Sequence, residues 1–256
     1  MIAKLKLAGI VFLTGSLFGL FAQPVLAKST TVHIGTGNMA AILMTPDGPG
    51  PYPALLVLHT SGGMECADTD FAKRMVNEGY VVLVPYFLQA YGIQPKMRAE
   101  AFTTYAQDIY SDFVAGLNLL RNNPKVDGKK LGAIGFSNGG YFALWLAATD
   151  QVQAGVSYYG ALTGAATDRS LGLFREVFTS GSAPVLILHG DKDSIVPVEK
   201  AILLDSILTA AQSPHEFHQY PGAGHRFERD GGASNKAAAA DAWQRTKDFL
   251  SKTLNK

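Results

Sequence analysis

Five short, largely apolar runs constrain the fold of this 256-residue chain more than any other feature. They lie at 54–59, 81–84, 130–135, 154–159 and 184–188. Each is strand-length, and none alternates between apolar and polar residues. That pattern is expected of strands covered on both faces, as in parallel sheets. Helical patterns separate the runs. Phe71, Met75 and Val76 mark the inner face of one helix. Phe102, Tyr105, Ile109, Phe113, Leu117 and Leu120 recur at three- and four-residue steps, which predicts a long amphipathic helix stopped near Pro124. Further helices are expected at 139–148, 198–211 and 237–254, the last with Trp243, Leu250 and Leu254 inward. Ahead of the first long run, 31–34 and 40–44 flank Gly35-Thr36-Gly37-Asn38 and read as a hairpin. Strands alternating with helices imply an α/β fold, with a mostly parallel central sheet and helices on both faces.

Residues 1–27 stand apart. Lys4 and Lys6 precede an uncharged, mostly apolar run over 7–22, and Val25 and Ala27 put small residues at the minus-three and minus-one positions of a cleavage site. This is the layout of a secretory signal peptide, and the run is short for a membrane span. The expectation is an exported protein, periplasmic or secreted, with one domain over 28–256 and no membrane association after cleavage. The formal charge of +1 becomes −1 without Lys4 and Lys6, so a strongly basic nucleic-acid binder is excluded. The single cysteine, Cys66, excludes an internal disulfide and any Cys-x-x-Cys metal or redox site.

The chemistry concentrates at Gly135-Phe136-Ser137-Asn138-Gly139-Gly140. Gly-x-Ser-x-Gly between a strand and a helix is the pattern of a nucleophile elbow. The glycines allow a strained turn that holds the serine hydroxyl out at the sheet edge, beside a helix N-terminus. Serine needs a base, and the order in such folds is Ser, acid, His. Four histidines follow Ser137: His189, His215, His218 and His225. His225 closes the glycine-rich loop Tyr220-Pro221-Gly222-Ala223-Gly224-His225 after a predicted strand and is the expected base. Asp191 and Asp193 compete for the acid. Asp193 is favoured because it precedes the turn into the next helix, while Asp191 is expected to order the loop. Two backbone amides should face the developing oxyanion. Asn138 supplies one, and the loop His59-Thr60-Ser61-Gly62-Gly63 supplies the other through Ser61, with Thr60 the next choice. His59 is expected to support that loop.

Together these pieces resemble the α/β-hydrolase superfamily and, within it, the dienelactone hydrolase family. The resemblance spans roughly residues 50 to 250. It rests on the Ser137 hexapeptide, Ser157-Tyr158-Tyr159-Gly160, Asp193-Ser194-Ile195-Val196-Pro197 and Gly222-Ala223-Gly224-His225-Arg226-Phe227. It implies the α/β-hydrolase fold and hydrolysis of a small-molecule ester or lactone with no cofactor and no metal. Two departures matter. The founding members carry Cys as nucleophile where this chain has Ser137, and Glu in the loop where it has Thr60. Both point toward a serine esterase. The resemblance also places Arg98 and Arg229 near positions that bind a substrate carboxylate, a task suited to the planar guanidinium. A peptidase or acyltransferase of the same fold, or a non-catalytic binding protein, are the alternatives. Residues 161–182, with Phe174 and Phe178, are expected as a lid over the mouth.

Overall fold

The apolar runs become neighbouring strands of one eight-stranded sheet in a computed structural model that describes residues 28–160, 162, 164–229 and 231–254. The proposed signal segment lies outside the described residues. In chain order the strands are β1 (Lys28–Ile34), β2 (Met39–Thr45), β3 (Tyr52–Leu58), β4 (Val81–Pro85), β5 (Val126–Phe136), β6 (Ala154–Tyr158), β7 (Val185–Gly190) and β8 (His215–Tyr220). Their order across the sheet is β1-β2-β4-β3-β5-β6-β7-β8. The β1–β2 hairpin pairs Ile34 with Met39, and β2 meets β4 antiparallel. All later pairings are parallel. From β3 the chain winds outward to β4, then returns to β5 on the other side and continues to β8. The winding therefore reverses between β3 and β5. A crevice opens beyond the carboxyl ends of strands at such a point.

The helices are α1 (Cys66–Asn77), α2 (Phe87–Ala90), α3 (Ala106–Arg121), α4 (Asn138–Ala148), α5 (Gly164–Val177), α6 (Val198–Ala210) and α7 (Ala233–Leu254). Along β3 the side chains part by the two-residue strand period. Ala54, Leu56 and Leu58 join the core that contains Phe87, Phe113, Phe142 and Leu204. Leu55 and Val57 join the opposite core with Phe71, Met75 and Leu250. Both faces of the sheet are thus covered, which explains why its strands read as continuous apolar runs.

Three departures from the sequence expectation are instructive. The long helix starts at Ala106, after Phe102 and Tyr105, and a 3-10 segment covers Pro95–Phe102. Its first α-helical bond runs from Ile109 N–H to the Tyr105 carbonyl (2.9 Å). The Thr103 hydroxyl instead donates back to the Ala99 carbonyl at 3.2 Å. Phe102 still packs on Tyr141 and Phe142, so the aromatic period reports a shared core and not one continuous helix. The last helix begins at Ala233, four residues early, because its first turn is mostly exposed and leaves no apolar period to read. The expected lid contains α5, yet Phe174 and Phe178 are buried in the core. Phe174 packs on Tyr141 of α4 at 5.5 Å. These two aromatics therefore anchor the segment to the domain.

Candidate active site

Ser137 sits between the end of β5 and the start of α4 with φ 52° and ψ −112°. A residue with a Cβ is strained there, and the surroundings impose the strain. Ser137 N–H donates to the Tyr158 carbonyl of β6 (3.0 Å), and its own carbonyl accepts from Gly140 N–H (2.9 Å). The neighbouring glycines are required by contact. A Cβ on Gly135 would fall 2.0 Å from the Gly139 carbonyl oxygen, and one on Gly139 would fall 2.2 Å from the Leu58 oxygen of β3. Helix, strand and elbow approach too closely for any side chain.

The loop after β8 brings His225 to Ser137. The distance from His225 Nε2 to Ser137 Oγ is 3.2 Å, and from His225 Nδ1 to Asp193 Oδ2 it is 2.7 Å. The carboxylate accepts only, so Nδ1 carries the proton and Nε2 is left to accept from the serine hydroxyl. Asp193 Oδ1 accepts from the amides of Ile195 (2.9 Å) and Val196 (2.8 Å), which fixes the carboxyl plane. Burial pushes the Asp193 pKa up. Hydrogen bonds from His189, His225 and the Val196 amide outweigh that effect and hold it below the usual carboxylate range. Asp191 turns away and accepts from the Gly222 amide at 2.7 Å, ordering the histidine loop.

On the other side of the crevice, Gly62 N–H donates to Thr60 Oγ1 (3.1 Å) and Gly63 N–H to the Thr60 carbonyl (3.2 Å). These bonds fold the loop, and neither uses the Ser61 amide. Asn138 opens α4, where the first amides have no intrahelical acceptor and carry the positive end of the helix dipole. His59 is fully buried and stacks on Phe87 at 4.0 Å, and its Nδ1–H donates to the Thr60 carbonyl at 2.7 Å. Burial lowers its pKa to about 4, so it supports the loop as a neutral ring.

Arg229 is not at an open mouth. Its side chain is 7 % exposed and pairs with Asp68 (3.1 Å) and Glu228. Its other terminal nitrogen lies 3.7 Å from Glu65. Three carboxylates of the chain already engage the guanidinium. Arg98 lies exposed on the 3-10 segment and forms no ion pair among the described residues. Cys66 is exposed at the start of α1. A 350 Å³ cavity opens beside the Ser61 loop between Gly63, Leu88, Gln89, Ile93 and Gln94. No cluster of ligating side chains fit to hold a metal occurs among the described residues.

Several residues of the site are invisible to motif reading. His189 is buried, donates from Nε2 to the Val196 carbonyl (2.8 Å) and lies 3.3 Å from Asp193 Oδ2, so it backs the acid. The Tyr159 ring packs on His225 at 4.6 Å. Glu65 binds Arg226, the residue after His225, across 161 positions. The only sequence signal for this last group is two acids, Glu65 and Asp68, three apart, and two arginines, Arg226 and Arg229, likewise three apart.

Comparison with known proteins matches the profile of the dienelactone hydrolase family over residues 39–254. A Synechocystis protein provisionally named a carboxymethylenebutenolidase is 31 % identical over 251 residues, covering 89 % of this chain and 98 % of its own. A Bradyrhizobium protein provisionally named a 2-oxo-3-(5-oxofuran-2-ylidene)propanoate lactonase is 28 % identical, covering 86 % of this chain and 92 % of its own. Among solved structures, a Klebsiella pneumoniae protein provisionally described as a dienelactone hydrolase superposes with a TM-score of 0.73 at 26 % identity, covering 90 % of this chain and all of its own.

Proposed function

The chain belongs to the dienelactone hydrolase family, and on that premise we propose that it is an exported serine hydrolase that opens a carboxylic ester or lactone through an acyl-enzyme. The observation that carries the reading is the chain of contacts from Ser137 through His225 to Asp193, at 3.2 and 2.7 Å, beneath a serine held at positive φ. Ser137 Oγ attacks the carbonyl carbon while His225 Nε2 takes the hydroxyl proton. Asp193 keeps the imidazole oriented and stabilises its charged form. The amides of Ser61 and Asn138 receive the negative oxygen, each contributing roughly 10²–10³ in rate. His225 returns the proton to the departing alkoxide. In an ester the alcohol leaves; in a lactone the freed hydroxyl stays on the acyl chain. Water then attacks the acyl-enzyme by the same proton transfers.

Support for lactones comes from the relative named a lactonase. Support for plain esters comes from Ser137 and from the uncharged cavity beside Ser61. Preference for a carboxylated substrate would fall to Arg98, since Arg229 is engaged. Export is inferred from the signal-like layout of residues 1–27. One experiment tests both parts. Exported fractions of cells expressing the full chain are treated with a fluorophosphonate, and the labelled protein is sequenced from its N-terminus. The expected result is label on Ser137, absent in Ser137→Ala, on a chain beginning at Lys28. A folded wild-type protein that takes no label and cleaves none of a panel of esters, lactones and carboxylated esters would sink the enzymatic reading. Label retained inside the cell on an uncut chain would sink export alone.

A further inference from the structure

The histidine loop and the Ser61 loop come from opposite ends of the chain, yet ion pairs tie them, the shortest of those to Glu65 being that of Arg226, with Arg229 at 3.7 Å. Arg226 follows His225 directly and holds φ 59°, a left-handed conformation unusual for a long side chain. Its planar fork meets Glu65 twice, Nη2 to Oε2 at 2.9 Å and Nη1 to Oε1 at 3.3 Å. Glu65 precedes α1 and its amide donates to Asp68 Oδ2 at 2.8 Å. The Glu65 carboxylate also lies beside the Ser61 loop: Oε1 would be 2.9 Å from a Cβ on Gly62. A second pair, Arg229 to Asp68, runs alongside but is buried, at 7 % and 0 % side-chain exposure. The Glu65–Arg226 pair is one-third exposed on both sides. The two pairs therefore divide the work. The buried one belongs to the fold, and the outer one joins the two loops that address Ser137.

We propose that the Glu65–Arg226 pair is a positioning strap that sets His225 and the Ser61 amide in register about Ser137. The proposal rests on the serine hydrolase reading above. A bidentate fork fixes orientation as well as distance, which a single-point contact does not. Misplacement of reacting groups by a fraction of an ångström is felt in turnover more than in binding. Removing the strap thus lowers kcat and the rate of serine phosphonylation while KM stays nearly constant.

Charge supplies a second readout. His225 faces Asp193 at Nδ1, Ser137 at Nε2 and the Tyr159 ring. Its own loop adds Arg226, Glu228 and Arg229; α1 brings Glu65 and Asp68 to those arginines, and His189 backs Asp193. Glu65→Gln removes one negative charge from this cluster, which disfavours imidazolium and moves the acid limb of kcat/KM to lower pH. Arg226→Gln removes one positive charge from it and moves the limb to higher pH.

The test measures kcat, KM, the pH profile and the second-order fluorophosphonate rate for wild type, Glu65→Gln, Arg226→Gln, the double variant and Arg226→Lys. Each single Gln variant is expected to lose about tenfold in kcat and in labelling rate, with KM within about twofold. Their acid limbs should move in opposite directions by several tenths of a pH unit. The double variant should lose no more than either single one and return the limb toward wild type. Arg226→Lys keeps the charge and loses the fork, so it should lose kcat with the limb in place; it decides the matter if Glu65→Gln fails to fold. Wild-type kcat and labelling in the variants, or limb shifts of the same sign, would overturn the strap while the hydrolase reading stands. A wild-type protein that neither labels nor turns over would remove both.

Discussion

The serine elbow and the histidine loop deliver the two ends of one 3.2 Å contact by different physics. At the elbow the backbone does the holding. Ser137 is forced to positive φ, and Gly135 and Gly139 lie where a Cβ would strike main-chain atoms at 2.0 and 2.2 Å. Across the crevice, side chains do the holding. Asp191 grips the Gly222 amide, Asn235 grips the Gly224 amide, Asp193 grips His225, and Glu65 and Asp68 grip the two arginines. Sterics between close backbones are local and tolerate no substitution. Polar ties between distant elements can be broken one at a time. The two regions should therefore fail in different ways, the elbow by losing the fold and the loop by losing the chemistry.

The largest effect expected is on the loop side. Asp193→Asn keeps the size of the side chain and an acceptor for the Ile195 and Val196 amides, so the folded shape should survive. It removes the charge that fixes the His225 tautomer and stabilises imidazolium. A loss of about 10⁴ in kcat is expected, near 5 kcal/mol of barrier, with little change in secondary structure. Burst kinetics with a chromogenic ester and far-ultraviolet circular dichroism check the two halves. A variant within tenfold of wild type would mean that Asp193 does not orient the base.

The elbow should respond in the opposite sense. In Gly139→Ala the new methyl falls on the Leu58 oxygen and carbonyl carbon, at 2.2 and 2.6 Å, and both belong to a central strand. Neither atom can rotate away, so β3 and α4 must separate. About 4 kcal/mol of stability or more should be lost, to be read from the urea midpoint. Activity per folded molecule then falls together with the folded fraction. A fully stable Gly139→Ala protein would erase the contrast between the two regions.

This contrast also explains what was legible in the sequence. The parallel strands announce themselves because both faces of the sheet are covered. The elbow is legible because the glycines its close contacts require, Gly135 and Gly139, flank Ser137 within five residues. The glycine-rich loop before His225 is legible for a related reason. The Glu65–Arg226 and Asp68–Arg229 pairs are not, since nothing periodic links residues 161 positions apart. The engagement of Arg229 is hidden for the same reason: only packing brings it to Glu65, Asp68 and Glu228. Phe174 and Phe178 look like lid residues because 161–182 reads as one long connection, and only the core reveals them as anchors.

The smallest effect sharpens the comparison through pH. The loop beside the elbow is held by a neutral ring, His59, whose pKa falls from about 6.5 to about 4 on burial. The unfolded chain takes up a proton near pH 6.5 and the folded one resists until about pH 4. Stability from this group is therefore full above 6.5 and is lost as pH falls toward 4, by about 1.4 kcal/mol per unit. Asp193 carries its lowered pKa in the folded state, so its contribution is lost only below the ordinary carboxylate range, outside this window. Asp68, raised by burial, contributes with the opposite sign as pH falls. Comparing wild type with His59→Leu isolates the histidine, because the carboxylates are common to both. Between pH 6.5 and 5 the wild type should lose about 1.5 kcal/mol more than His59→Leu in urea unfolding, whatever the offset between them at pH 7. Parallel pH slopes would mean that His59 is not held neutral. The elbow side would then depend on charge as the histidine loop does, and the distinction between the two regions would fall.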